Sequence, residues 1–200
     1  YGKTYAVSQT KWTNLVPYNN IFFATVKEQI DQVYEGDETF KETKTAFEYD
    51  PYGNLAKIFE YADTSYEGDE RTTIHQYTYN TAKNIVDKLA VTSLYKGIQT
   101  SSFASLSNSP DKLTERKFYY DNNANVSDMP TKGDLTKEER WLSTGLNPTT
   151  LMTHDKYGNV KTVIDPEGNS ASNEYDIQYN IFLTKITNAL NQAQSMTYDA

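Results

Sequence analysis

A five-residue pattern, Asp-x-x-Gly-Asn, recurs along this chain and restricts it to folds made of many short antiparallel strands. Its fullest form is Ala46-Phe47-Glu48-Tyr49-Asp50-Pro51-Tyr52-Gly53-Asn54-Leu55-Ala56-Lys57-Ile58, two arms rich in Thr and aromatic residues around a turn. Pro51 sets its own φ near the value wanted at the first central turn position, and Asp50 can accept hydrogen bonds from the backbone just ahead. Gly53 takes the positive φ that ends a tight loop, Asn54 tolerates the same region, and Leu55 restarts the strand. The spacing returns at Asp155-Lys156-Tyr157-Gly158-Asn159 and Asp165-Pro166-Glu167-Gly168-Asn169, and with Ala for Gly at Asp121-Asn122-Asn123-Ala124-Asn125. Asn188-Ala189-Leu190-Asn191 reads as a worn copy. The residues expected to shape these turns are thus Asp50, Gly53, Asn54, Asp121, Asn125, Asp155, Gly158, Asn159, Asp165, Gly168 and Asn169.

Two longer periods overlie the turns. Asp155, Asp176 and Asp199 stand 21 and 23 residues apart, the last two preceded by Tyr and the first by His154. Tyr34-Glu35-Gly36-Asp37-Glu38 returns 32 residues later as Tyr66-Glu67-Gly68-Asp69-Glu70, each copy leading into a Thr-rich stretch that ends in an aromatic-x-Tyr-Asp/Asn sequence. Periods of this size belong to arrays of supersecondary units, each too small to bury a face alone. Phe47 to Leu55, and His154 to Val160 onward through Tyr198-Asp199, resemble the YD repeats of the Rhs/YD-repeat family, which includes bacterial polymorphic toxins, the B and C components of insecticidal toxin complexes, and teneurins. The matching stretches are about residues 34 to 80 and 115 to 200, with residues 1 to 33 alike only in strand texture. Arg71 to Tyr95 is closest in character to the B-component branch. Because the chain opens on Tyr1 and stops at Tyr198-Asp199-Ala200, the start of another repeat, it reads as an excerpt of a longer polypeptide, one continuous β-repeat segment over residues 1–200.

A formal charge of −8 and a pI near 4.8 argue against nucleic acid or an anionic membrane as partner, since both call for a basic face. No apolar run approaches the length of a membrane span. Cysteine is absent, which removes disulfides, thiolate metal sites and Cys nucleophiles. The chain carries 17 Tyr, 8 Phe and 2 Trp at a mean hydropathy of −0.75, a balance suited to pleated surfaces packed on one side and wet on the other.

Along the chain, Tyr1 to Thr13 and Ile21 to Val33 read as strands joined by a turn over Asn14 to Asn20, with Pro17 and Asn19-Asn20 at its centre. In Thr39 to Tyr49 neither alternate face is strongly apolar, so both meet water. Asn84 to Tyr95 is one strand or two; the Ser-rich tract over residues 97–111 is a loop or poorly ordered excursion. Thr114 to Tyr120 is a strand, and residues 121–134 form a polar loop. Thr136-Lys137-Glu138-Glu139 has capping-box spacing, but a strand from Leu135 to Leu142 is preferred because Gly133-Asp134-Leu135 resembles the strand-restarting half of a repeat turn. Hairpins resume over Lys161 to Ile164, Ser170 to Tyr175, Thr184 to Thr187 and Gln194 to Tyr198.

Little here promises chemistry. His75 and His154 are the only histidines, one in a strand and one in a repeat's Tyr position. No nucleophile elbow, zinc-protease helix or phosphate-binding loop occurs. The carboxylates fall mostly in turns or on solvated strand faces, which leaves a glycosidase-like pair without a location. Glu35-Asp37-Glu38 and Glu67-Asp69-Glu70 lack the spacing of a calcium loop and read as solvated turns. The tyrosines beside turns read as cross-strand packing in preference to sugar stacking. The resemblance also brings autoproteolytic aspartates in an Asp-Pro-x-Gly-Leu context; Asn54 and Asn169 stand where that Leu would be, so the activity is not carried over.

The expectation is therefore an all-β chain of antiparallel hairpin repeats forming an extended, curved sheet, without catalysis, cofactor or metal. What the resemblance implies is a structural role: a shell segment, secreted or at the bacterial cell surface, flanked by further YD repeats of the same chain and enclosing a C-terminal toxin or effector until delivery. The alternative is a cell-surface adhesion or carbohydrate-binding module with a glycan or surface receptor as partner.

Overall fold

The computed structural model describes residues 5–18, 21–36 and 39–199. Thirteen strands follow one another: β1 (Ala6–Tyr18), β2 (Ile21–Tyr34), β3 (Phe40–Tyr49), β4 (Leu55–Asp63), β5 (Arg71–Asn80), β6 (Ile85–Lys96), β7 (Lys112–Tyr120), β8 (Leu135–Arg140), β9 (Thr149–His154), β10 (Val160–Ile164), β11 (Ser170–Tyr175), β12 (Leu183–Thr187) and β13 (Ala193–Ser195). Each is hydrogen-bonded to its neighbours in chain order, so the strands form one antiparallel meander. A 3₁₀ turn (Thr81–Lys83) joins β5 to β6, and one helical turn, α1 (Phe103–Leu106), lies between β6 and β7. No helix among the described residues is long and apolar enough to cross a membrane. The chain divides into two compact units, Tyr1–Tyr77 with Val91–Glu115, and Thr78–Ala90 with Arg116–Ala200.

In the first unit, β1 and β2 form a long ladder with shifts at Lys11/Trp12 and between Leu15 and Tyr18. The turn expected over Asn14 to Asn20 is corrected here: β1 runs through Pro17 to Tyr18, and only Asn19-Asn20, outside the described residues, remains between the strands. Pro17 is tolerated because β1 has a neighbour on one side only and the ladder steps over it. Glu28 of β2 accepts from Lys11 of β1 and lies 2.9 Å from Lys44 Nζ of β3, one carboxylate tying three strands. Strand β3 buries neither face fully, as its composition requires.

Burial in this unit concentrates where the Ser-rich tract returns across β5 and β6. Ile74, Tyr95 and Leu106 form a buried cluster with Phe103 packed against it. The tract is anchored from below: Thr72 Oγ1 donates to the Gly97 carbonyl and accepts from the Gln99 N–H, while Lys57 Nζ donates to the Thr100 and Ser101 carbonyls. Lys112 and Glu115, both nearly inaccessible, pair at 3.3 Å beneath it, with Ser93 Oγ donating to the same carboxylate and Lys112 also donating to the Ser107 carbonyl. Of the two readings of residues 97–111, a loop or a poorly ordered excursion, the structure has the loop, interrupted by the single turn of α1 and seated on the strands by Phe103 and Leu106 together with these polar anchors.

In the second unit the polar loop between β7 and β8 folds onto the end of the β5–β6 hairpin. Thr78 Oγ1 donates to the Asp128 carbonyl, Asn80 Nδ2 to Pro130, and Lys83 Nζ to Thr131, and Pro130 is fully buried. Strand β8 takes Leu135–Arg140, where the capping-box spacing had offered a helix. Its register opposite β7 explains the choice, because Glu138 faces Phe118 and reaches both Arg116 and Arg140. From β9 to β13 the strands shorten to between three and six residues, and the turns between them carry the organisation.

Candidate functional site

The Asp-headed turns are the features around which the rest of the chain is arranged. At Asp50 the main chain closes through Asp50 N–H to the Asn54 carbonyl at 2.8 Å and Gly53 N–H to the Asp50 carbonyl at 3.1 Å. One carboxylate oxygen accepts the N–H groups of Tyr52 and Asn54, and the other accepts from Asn54 Nδ2, each at 2.8 Å. The same five contacts recur at Asp155 with Tyr157, Gly158 and Asn159, and at Asp165 with Glu167, Gly168 and Asn169. Gly53, Gly158 and Gly168 sit at φ of +91°, +89° and +87°. The final Asn has a different part from the one its φ tolerance suggested: it is absent from the positive-φ residues and serves as amide donor to the second carboxylate oxygen.

Asn188 builds the same turn with the polarity of its last contact reversed. Its Oδ1 accepts from the Leu190 and Gln192 N–H groups, its Nδ2 donates to Gln192 Oε1, and Asn191 takes the left-handed φ of +60° in place of glycine.

At Asp121 the pairing with Asn125 is corrected. Asn125 turns instead to Asp128, with which it forms a local loop. Asp121 closes its turn on Asp134, its N–H donating to that carbonyl at 2.8 Å. Its carboxylate accepts from the N–H groups of Thr131, Lys132, Gly133 and Asp134. Gly133 has φ +86°, so the familiar Gly-and-polar ending is present but separated from its Asp by the docked loop. Burial works against ionisation of Asp121, yet the four converging N–H groups outweigh it and hold the carboxyl at about 2. Asp176 heads a similar expanded turn. Its carboxylate accepts from Tyr179, Ile181 and Phe182, Asn180 takes φ +59°, and the donors again overcome desolvation to leave it at about 2. The Asn159 and Asn169 amides lower Asp155 and Asp165.

The tyrosines that precede Asp50, Asp121, Asp176 and Asp199, and Tyr77, supply a stitch that sequence inspection missed. Tyr77 donates its hydroxyl to the Leu55 carbonyl, Tyr175 to Val160 and Tyr198 to Leu183, at 3.1, 3.0 and 2.8 Å. In each case the acceptor is the first residue of the strand that follows an earlier Asp-headed turn. Tyr49 reaches Val26 and Tyr120 reaches Leu89 in the same manner. Burial pushes the Tyr120 hydroxyl up to about 12, with Asp87 adding to the rise. The recurring Tyr-Asp pair was the available signal; that its two halves perform separate tasks, one latching backward and one closing the turn ahead, required coordinates.

The histidines join neither system. His75 is half-buried in β5, where desolvation lowers its pKa, and His154 ends β9. Among the described residues no three His, Asp or Glu side chains stand close enough to hold a metal ion. The first acidic repeat, Glu35-Asp37-Glu38, lies partly outside the described residues; in the second, Glu70 accepts the Gly68 N–H and Asp69 the Asp63 N–H.

Fold and turns together define a class: all-β proteins made of a strand-by-strand meander, closed at its bends by carboxylate-centred turns. In fold the chain is similar to the crystal structure of TcdB2-TccC3-Cdc42, with a TM-score of 0.51 at 13% identity over 98% of this chain and 15% of that one. It is likewise similar to TcdB2-TccC3, with a TM-score of 0.50 at 13% identity over 98% of this chain and 15% of that one. A Photorhabdus luminescens Tc holotoxin pore gives 0.50 at 10% identity over 92% and 14%. The chain thus spans about 15% of the length of the first two solved chains, and at these identities the likeness is one of fold. No family model and no curated protein matches the sequence.

Proposed function

We propose that this chain is a wall segment of a YD-repeat shell of the Rhs type, part of a longer secreted or cell-surface bacterial polypeptide that encloses a C-terminal toxin or effector until delivery. The observation that carries the reading is the use made of the Tyr-Asp pairs. The Tyr49, Tyr120, Tyr175 and Tyr198 hydroxyls, and that of Tyr77, donate to backbone carbonyls inside the sheet, and the turn carboxylates accept the N–H groups of their own loops. Groups committed in this way stiffen a wall. Neither face of β3 is buried, which suits a sheet wetted on two sides, as a container wall is. The fold neighbours, whose names are those of Tc assemblies, agree with a place in such an assembly.

The adhesion reading would place exposed rings in free, flat rows. The exposed rings of Tyr179, Phe182 and Tyr198 do lie side by side, but they pack tilted or edge-on against one another at 6.0 and 5.1 Å and present no flat row. Limited proteolysis of the complete polypeptide carrying this chain tests the proposal. The sequence that follows the repeats should resist protease while the sheet is folded and become cleavable when denaturant opens it. Equal cleavage before and after opening would remove the enclosure, and selective retention on a glycan array would move the assignment to surface recognition.

A further inference from the structure

Alternate joints of the sheet share one arrangement of ladder and latch. The β2–β3 ladder stops at Glu28 opposite Ala46, and Tyr49, three residues past Ala46, donates to the carbonyl of Val26, two residues before Glu28. The same steps of three and two lead from the pair Lys57 and Ile74 to Tyr77 and Leu55, from Thr162 and Ser172 to Tyr175 and Val160, and from Lys185 and Ser195 to Tyr198 and Leu183. Beyond the last pair the strands part, and the phenol spans the gap.

The β8–β9 joint has this register without the latch. Its ladder stops at Lys137 opposite Leu151, and the same steps lead to His154 and Leu135. On its other side His154 pairs with Val160, as Tyr49 does with Leu55 and Tyr175 with Leu183, and the turn headed by Asp155 is complete. The part that is missing is the backward reach. An imidazole ends short of where a phenol carries its hydroxyl, and His154 Nδ1 is buried without a partner. A cleft of about 310 Å³ lies here, with Asp134 and Thr136 on one side and Met152, Thr153 and His154 on the other. A cleft alone does not set the joint apart, since β2–β3 opens on one of about 370 Å³, but Tyr49 lines that cleft and latches to Val26 across the joint.

We propose that the β8–β9 joint is the seam at which this sheet parts first, opening from the His154 end and pivoting on the loop that joins the two strands. The inference rests on the wall reading and gives that wall a built-in place to open. At the loop end the joint is held, with the Arg140 N–H donating to the Pro148 carbonyl at 3.0 Å and Asn147 Nδ2 to Glu139 at 2.8 Å. The remaining side-chain ties bind each strand to its outer neighbour. Glu138 of β8 pairs with Arg116 of β7, and the Thr153 hydroxyl of β9 meets that of Thr162 of β10. At the His154 end nothing comparable replaces the latch, and an orphaned buried nitrogen favours whichever state lets water reach it. Local opening begins where the fewest groups are committed.

Hydrogen exchange, followed segment by segment in the complete polypeptide carrying this chain, tests the seam. Residues 135–137 and 151–154 should exchange roughly tenfold faster than their counterparts 160–162 and 172–175. His154→Tyr should slow the first pair of segments toward the second. Tyr175→His should quicken the second pair toward the first, and it keeps the test decisive if the longer side chain at 154 fails to fit. Equal exchange at the two joints would overturn the inference, as would rates that respond to neither substitution. Exchange is read on the wall itself, so a wall that fails to shield the sequence after it leaves the seam standing, and equal exchange leaves the enclosure standing.

Discussion

At the residue scale, the turn glycines and tyrosines carry distinct and separable demands. Gly53 and Gly158 sit at φ near +90°, where a β-branched side chain is strained, and a Cβ on Gly53 would stand 3.4 Å from the Phe23 ring. Gly53→Val and Gly158→Val should each cost about 1 kcal/mol or more, read as a lowered midpoint in urea unfolding; two unshifted midpoints would refute the turn argument. Tyr120 is half-buried with its hydroxyl on the Leu89 carbonyl, and Tyr120→Phe leaves that carbonyl without its donor. The expected loss is about 1 kcal/mol, with faster exchange of the neighbouring β6 and β7 amides. Of these demands, the positive φ was legible in the letters because glycine has few other reasons to recur at one spacing. The amide contact from Asn54 to Asp50 was not, since Asn is common in turns for several reasons and sequence alone does not choose among them.

At the element scale, strand identity was readable and the fate of the long loops was not. The Thr, Val and aromatic content of β3, β10 and β12 left few alternatives to strand, whereas in β8, rich in Lys, Glu and Arg, pairing with β7 prevailed over a capping-box signal. Ser is the commonest residue of the tract between β6 and β7, yet Leu106 is 7% exposed against Ile74 and Tyr95. Ile98, Phe103, Ala104 and Leu106, scattered among Ser, Gln, Thr and Asn, give no strand or helix periodicity long enough to announce that Phe103 and Leu106 dock. Leu106→Ala should remove about 2–3 kcal/mol of stability and open the segment 97–110 to protease before the strands themselves unfold. Cleavage there at the wild-type rate would mean that the tract is held by its polar anchors alone.

At the scale of the whole molecule, stability is tied to a population of ionised carboxylates. Asp121 and Asp176 are held at about 2 against an ordinary 3.8, and Glu28, through hydrogen bonds from Lys11 and Lys44, at about 2 against 4.5. A carboxyl whose pKa is depressed by folding contributes stability that is fully present above its unfolded value and lost as pH falls through the folded one. The chain should therefore keep a level unfolding midpoint near neutrality and lose stability progressively between about pH 4.5 and pH 2. A chemical-denaturation series across that range would check it, and a flat profile would show that the turn carboxylates contribute little. The sequence by itself determined that this is an antiparallel all-β chain with Asp-headed bends, because turn geometry is local and the bends at Asp50, Asp155 and Asp165 each need only their own five residues. Tertiary structure alone decided that Asp121 closes on Asp134, that each tyrosine latches to a carbonyl of an earlier strand, and that the Ser-rich tract is seated. Those contacts join residues far apart in the chain, and what selects them is the burial and hydrogen-bond satisfaction available only once neighbouring strands are in register.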